Sequence, residues 1–314
     1  MNSILLLVIL SAYLAVLFYI AYWAEKKGNS KWTNNPYIYT FSLAVYCTAW
    51  TYYGSVGVAA DSGLSYLPIY LGPVIIAPSW ILILRKIIRI SRVNKIASIA
   101  DFISLRCGNS RFLGAIVTVI CLTGIIPYIA LQLKAIAETF HVVTKTEIRS
   151  FIFDDTTTYV AVALALFASY YGTRYVDASE KRKGIVNAVA LESVLKLVFF
   201  VIIGVYVTFF VFVGFDDIYQ KASLLEHFKE KNTIGGLPQA INWFLLCVLS
   251  MFAIFLLPRQ FQVGVVENNR ENHINTAVWL FPLYLLLFNI FVYPIAWGGN
   301  ILFDGQDVNS DAYS

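Results

Sequence analysis

With 314 residues, 59% of them hydrophobic and 13% charged, and a mean hydropathy of +0.68, the chain is far more apolar than a soluble domain, in which about a quarter of the residues carry charge. That composition excludes a soluble enzyme, a secreted disulfide scaffold and a disordered tail, and it makes the lipid bilayer the chain's first partner. A net charge of +4 gives no ground for a nucleic-acid partner, since the positions of the bases follow membrane topology.

In chain order, apolar runs predict spans at 3–23, 37–59, 65–84, 112–140, 158–175, 184–213, 240–258 and 275–297. All are expected to be helices, because hydrocarbon offers backbone groups no water and the runs are too long and too unalternating for barrel strands. The first run is an anchor and not a signal peptide: no base precedes it, whereas Lys26, Lys27 and Lys31 follow it. Starting outside puts those lysines in the cytoplasm. With them go Arg85, Lys86, Arg89, Arg92, Lys95, Arg106 and Arg111, then Arg174, Lys181, Arg182 and Lys183, then Arg259 and Arg270. Lys145, Arg149, Lys221, Lys229 and Lys231 remain outside. The opposite orientation would reverse this asymmetry, against the positive-inside rule. Asp154, Asp155, Asp216, Asp217, Asp304, Asp307 and Asp311 gather outside, and Trp23, Trp243 and Trp297 stand at span ends, as interfacial anchors do.

Ionisable residues within spans are costly and mark function by default. Glu192 and Lys196 lie four apart on the sixth span, and Lys134 and Glu138 four apart near the outer end of the fourth. Each pair shares a helix face and is either self-compensated structure or part of a solute or ion path. The second span carries Tyr46, Thr48, Trp50, Thr51, Tyr52, Tyr53, Gly54, Ser55 and Gly57. Such a stretch either packs closely against a neighbour through its small residues or unwinds beside a wet cavity. Gly124 and Pro127 predict a kink in the fourth span, with Gln132 a turn beyond, bound either to a neighbouring helix or to a solute. The seventh span has Ser250 in mid-course and Pro258 at its inner end. Cys47, Cys107, Cys121 and Cys247 form no C-x-x-C pair, and the loop histidines His141, His227 and His273 form no ligand set, so no metal centre is expected from them. Phosphate loops, H-E-x-x-H and G-x-S-x-G motifs are absent from the sequence, which leaves enzyme function with little support in these residues.

Six stretches carry a resemblance: SLAVYCTAWTYYGSVG (42–57), SIADFISLRCG (98–108), GIIPYIALQLKA (124–135), LESVLKLVFF (191–200), FLLPRQFQVGVVEN (255–268) and WLFPLYLLLFNIFVYP (279–294). The chain resembles the sodium:solute symporter family, and ALQLKA and LLPRQF resemble the branch fused to sensor histidine kinases. The resemblance implies an all-α integral membrane protein with a LeuT-type inverted-repeat bundle. It comprises a leading helix (3–23), a first five-helix repeat (37–213) and the first two helices of a second (240–297). The second repeat would be three helices short, so the expectation is the N-terminal part, 1–314, of a longer protein. The resemblance further implies a Na⁺ site on backbone carbonyls of Cys47 and Trp50, and a small-molecule solute touching Thr51, Tyr52, Tyr53, Gly54, Gln132 and Ser250. Ala49 stands where proline transporters of the family carry an aspartate, and Ser250 and Ile254 where they carry aromatics, which argues against proline as the solute. The function so implied is Na⁺-coupled transport of an amino acid or organic acid across the bacterial inner membrane. The alternative is a solute-sensing input domain of a histidine kinase, with a response regulator as its further partner.

Overall fold

The computed structural model describes residues 3–28, 32–144, 183–225, 228–303 and 310–313, together with 158 and 162. The fifth expected span, 158–175, and the bases Lys31, Lys145, Arg149, Arg174, Lys181 and Arg182 lie outside the described residues, apart from those two isolated positions of the span. Among the described residues there are helices and no strands.

The leading helix α1 is Ser3–Lys27. Next come α2 (Pro36–Leu43), α3 (Ala49–Tyr52) and α4 (Gly54–Ser62), three pieces of the second apolar run. Asn35 starts α2 by accepting the Tyr37 N–H at 2.9 Å, with Pro36 in the first turn, where its missing N–H does no harm. Helices α5 (Pro68–Ile76), α6 (Ile83–Val93), α7 (Ile99–Arg106) and α8 (Arg111–Thr144) follow. Then come α9 (Lys183–Tyr206), the short α10 (Phe215–Ala222) and α11 (Phe228–Lys231), α12 (Gly236–Leu256), α13 (Pro258–Phe261), α14 (His273–Asn289) and α15 (Val292–Leu302).

Four helical stretches are long and apolar enough to cross a membrane: Arg111–Ile136, Lys183–Val211, Gly236–Leu256 and His273–Leu302. Gly54–Tyr66 and Pro68–Ile81 together meet the same test as a pair bent by 61°. The fourth, sixth, seventh and eighth expected spans thus fall on long apolar helices, while the second and third are cut into shorter pieces. Helix α8 runs through Gly124 and Pro127 as a single element. Its Phe112, Ile120, Leu122 and Ile126 are exposed, as are Phe210, Phe244 and Leu249 elsewhere. Apolar faces of this extent suit acyl chains and not water.

The core lies where α2, α9 and α14 converge. Phe200 stacks on Phe288 with centroids 4.0 Å apart, and Trp80 lies 5.3 Å from Phe281. Gly184 lets α9 close on α1, since a Cβ there would stand 2.6 Å from the Ala21 carbonyl oxygen.

Hydrogen bonds fix which helix ends share a side. At one end Arg85 donates to Asn275 at 2.6 Å, Arg89 pairs with Glu271 at 2.9 Å, and Arg92 donates to Asn268 at 3.2 Å. At the other, Asn300 and Lys231 donate to the Ala60 carbonyl, Ser310 to Asp61, and the Trp243 indole to the Leu64 carbonyl. The arginine-rich α6 and the 267–275 link therefore share one end of the bundle, opposite the acidic end that holds Asp61.

Candidate functional site at the crossing of two broken helices

The second apolar run breaks at Cys47 and Thr48, both extended (φ/ψ −85°/108° and −108°/−169°). The Thr51 N–H, which an unbroken helix would send to the Cys47 carbonyl, goes instead to Thr48 O at 3.0 Å. The Cys47 carbonyl is thereby released from the helical ladder. Thr51, 3% exposed, returns its hydroxyl to the Thr48 N–H at 3.2 Å. Trp50 sits inside α3 with its indole against Gly54, where a Cβ would stand 2.5 Å from the ring nitrogen. Tyr52 packs edge-on to Tyr53 and Phe200.

A second break faces the first. At Leu257 (φ/ψ −63°/128°) α12 ends, and the chain re-enters a helix at Pro258. Gln260, 1% exposed, donates to the Leu43 carbonyl at 3.4 Å, and Tyr39 donates to the Gly264 carbonyl at 2.7 Å. These two bonds tie the stretch after the second break to the stretch before the first.

Arg259 stands at this crossing. Its guanidinium lies 4.2 Å over the ring of Tyr128. Tyr128 is seventeen residues beyond Arg111 on α8, about 25 Å along the helix at 1.5 Å per residue. The position of Arg259 after a proline suggests a cytoplasmic loop; the structure instead places it beside the middle of α8, a helix long and apolar enough to cross a membrane. Its Nε is buried without a partner, as is Oε1 of Gln260, and among the described residues no carboxylate pairs with it. The signal was readable, because the apolar run resumes after Pro-Arg-Gln as Phe261-Gln-Val-Gly-Val-Val.

The other expected residues divide between crossing and packing. Lys196 and Glu192 pair at 2.5 Å on α9, each side chain about one-third exposed, with Lys196 in electrostatic reach of Cys47. Lys134 and Glu138 pair more loosely at 3.5 Å, with Lys134 largely exposed. Gln132 lies one turn from Tyr128 on the same face of α8. Ser250 is elsewhere: it donates to Pro68 O at 2.5 Å and Cys247 O at 2.9 Å, packed against Gly72 in the seam of α12 and α5. The structure does not bring it to the crossing. Ser55 is also satisfied, by Tyr70 at 2.5 Å.

At the acidic end, an open cavity of about 470 Å³ is lined by Tyr219, Phe228, Tyr293 and Trp297. One of about 370 Å³, lined by Lys231, Gln239, Asn242 and Trp243, adjoins it. The turn Ser310–Tyr313 packs on α4 beside them, with Asp311 against Gly57. Among the described residues no group of His, Cys, Asp and Glu could hold a metal ion; a carbonyl-built cation site needs none. No family model matches the chain, and neither a curated protein nor a solved structure does.

Proposed function

We propose that the chain is the membrane module of a Na⁺-coupled symporter for a small organic solute, an amino acid or organic acid, in the bacterial inner membrane. The observation that carries this reading is the meeting of two interrupted helices near the middle of the bundle. Interrupted backbone at membrane depth is tolerated where it is buried in protein or lines a wet cavity, and paired interruptions are the usual pointer to a transporter's binding site. The eight-span, LeuT-type arrangement with an outside N-terminus belongs to this proposal. It is supported by the gathering of Arg85, Arg89 and Arg92 at one end and of Asp61 and Asp311 at the other.

For the coupling ion, the released carbonyl of Cys47 is a fitting donor, with Trp50 contributing from the stub α3. Bound Na⁺ would supply a fixed positive charge holding the two halves of the broken helix together. Thr51 and Gly54 lie beside it on the broken helix, and Tyr128 and Gln132 share one face of α8, with Tyr128 against Arg259. Solute and ion sharing one site stabilise each other's binding reciprocally. In proteoliposomes holding the protein expressed from its full reading frame, solute uptake is expected only under an inward Na⁺ gradient. Uptake indifferent to sodium would reject the proposal.

A further inference from the structure

Among the features of the crossing, Arg259 is the one that packing does not explain. Its neighbour Gln260 joins the breaks, Thr51 caps α3, and Lys196 has Glu192. Arg259 has a ring on one face and an unsatisfied Nε at its edge. We infer that Arg259 is the carboxylate-binding residue of the solute site, and that the solute is a small organic anion or zwitterion held by its carboxylate.

The argument is geometric. A guanidinium on an aromatic ring uses its flat face for the cation–π contact, while its N–H groups lie in the plane and point outward. Tyr128 therefore fixes the fork without consuming it. A fork held at mid-depth with Nε unused is matched by a carboxylate, which takes two parallel N–H···O bonds and supplies the missing charge. A neutral solute would leave the cation uncompensated in a medium that penalises it. The side chains of Tyr46 and Cys47 lie in electrostatic reach of Arg259, which puts the guanidinium close enough to act on a cation held by the carbonyl of the same Cys47. Without an anion the guanidinium repels a cation there, and with the carboxylate bound it does not. The inference rests on the transport reading and adds to it a source of coupling: the solute's charge switches on the ion site.

The test is binding in lipid nanodiscs, read by thermal shift and calorimetry. The probes are two- to six-carbon carboxylates and amino acids, each with its primary amide. One or more carboxylates are expected to bind, with the matched amide inert. Arg259→Gln should weaken binding by about 30-fold, the scale of a lost charge-assisted pair. Arg259→Lys, which keeps the charge and loses the fork, should recover part of it and shows that loss in the glutamine variant is not misfolding. Sodium should tighten carboxylate binding to the native protein and not to Arg259→Gln. A probe whose amide binds equally well, or undiminished binding in Arg259→Gln, overturns the inference while leaving transport standing. If no probe binds, with or without sodium, the transport reading fails and the inference fails with it.

Discussion

Two regions of the bundle hold polar atoms among apolar helices and treat them in opposite ways. In the seam between α5 and α12, Gly72 admits the Ser250 hydroxyl, which finds two backbone carbonyls, and nothing polar is left over. At the crossing of the broken helices, Arg259 Nε and Gln260 Oε1 remain without partners and the Cys47 carbonyl is out of its ladder. A satisfied hydroxyl between helices is a packing device, whereas an unsatisfied cation between breaks is an invitation to a ligand. Both look alike as isolated polar letters in an apolar run.

The sharpest way to break the comparison is to disturb the seam. At Gly72 a Cβ would fall 2.7 Å from both Cys247 O and Met251 N, so Gly72→Val should destabilise the fold by about 3 kcal/mol, the upper range for overpacking. Thermal unfolding in detergent measures it. A smaller loss is expected beside the crossing, where Glu192→Gln strands Lys196. With the side chains one-third exposed, the cost should be about 2 kcal/mol, short of a fully buried broken pair. Replacing both residues by Met should recover most of it, by the same measurement. Smaller again is Tyr70→Phe, which removes the bond to Ser55 and should cost about 1 kcal/mol.

The smallest effect belongs to the exposed Arg89–Glu271 pair. The Arg89 guanidinium, with Arg92 and Arg85 behind it, holds the Glu271 carboxyl below the usual carboxylate range. A lowered folded-state pKa gives stabilisation that is present above the unfolded value, roughly 4.3, and lost as pH falls through the folded one. Arg89→Ala should therefore flatten the acid limb of a stability–pH curve slightly, and high salt should mimic it at neutral pH.

Much of the bundle was legible in the sequence because hydropathy is a property of long windows. The helical stretches ending in Ile136, Val211, Leu256 and Leu302 follow runs long and apolar enough to cross a membrane. Breaks are decided by one or two residues and are less legible. The hydroxyls of 46–55 announced an unusual second helix, yet left open whether they would pack or unwind. They do both: Ser55 and Tyr70 pack, while Cys47 and Thr48 unwind. Pro258 falls at the inner end of the seventh expected span, where proline suits either a stop or an interruption, and the base after it fits a cytoplasmic loop. The resumption of the apolar run at Phe261 hints at the break, and the contact with Tyr128 places Arg259 beside the middle of α8. Helices α10 and α11, which line the cavities at the acidic end, are short and charged, and apolar periodicity gives no sign of them.

The central claim is that water and a small guest reach the crossing but not the seam. Two native thiols of similarly low exposure stand as probes, Cys47 at the break (2% exposed) and Cys247 in the α12 seam (3% exposed). With Cys107 and Cys121 changed to Ala, the protein in proteoliposomes is treated with a small hydrophilic methanethiosulfonate and the modified peptides are counted by mass. Modification of Cys47 well ahead of Cys247, slowed by a bound carboxylate, is the expected result. Equal inertness of the two thiols would mean that the broken helices enclose no wet chamber, and would contradict the account.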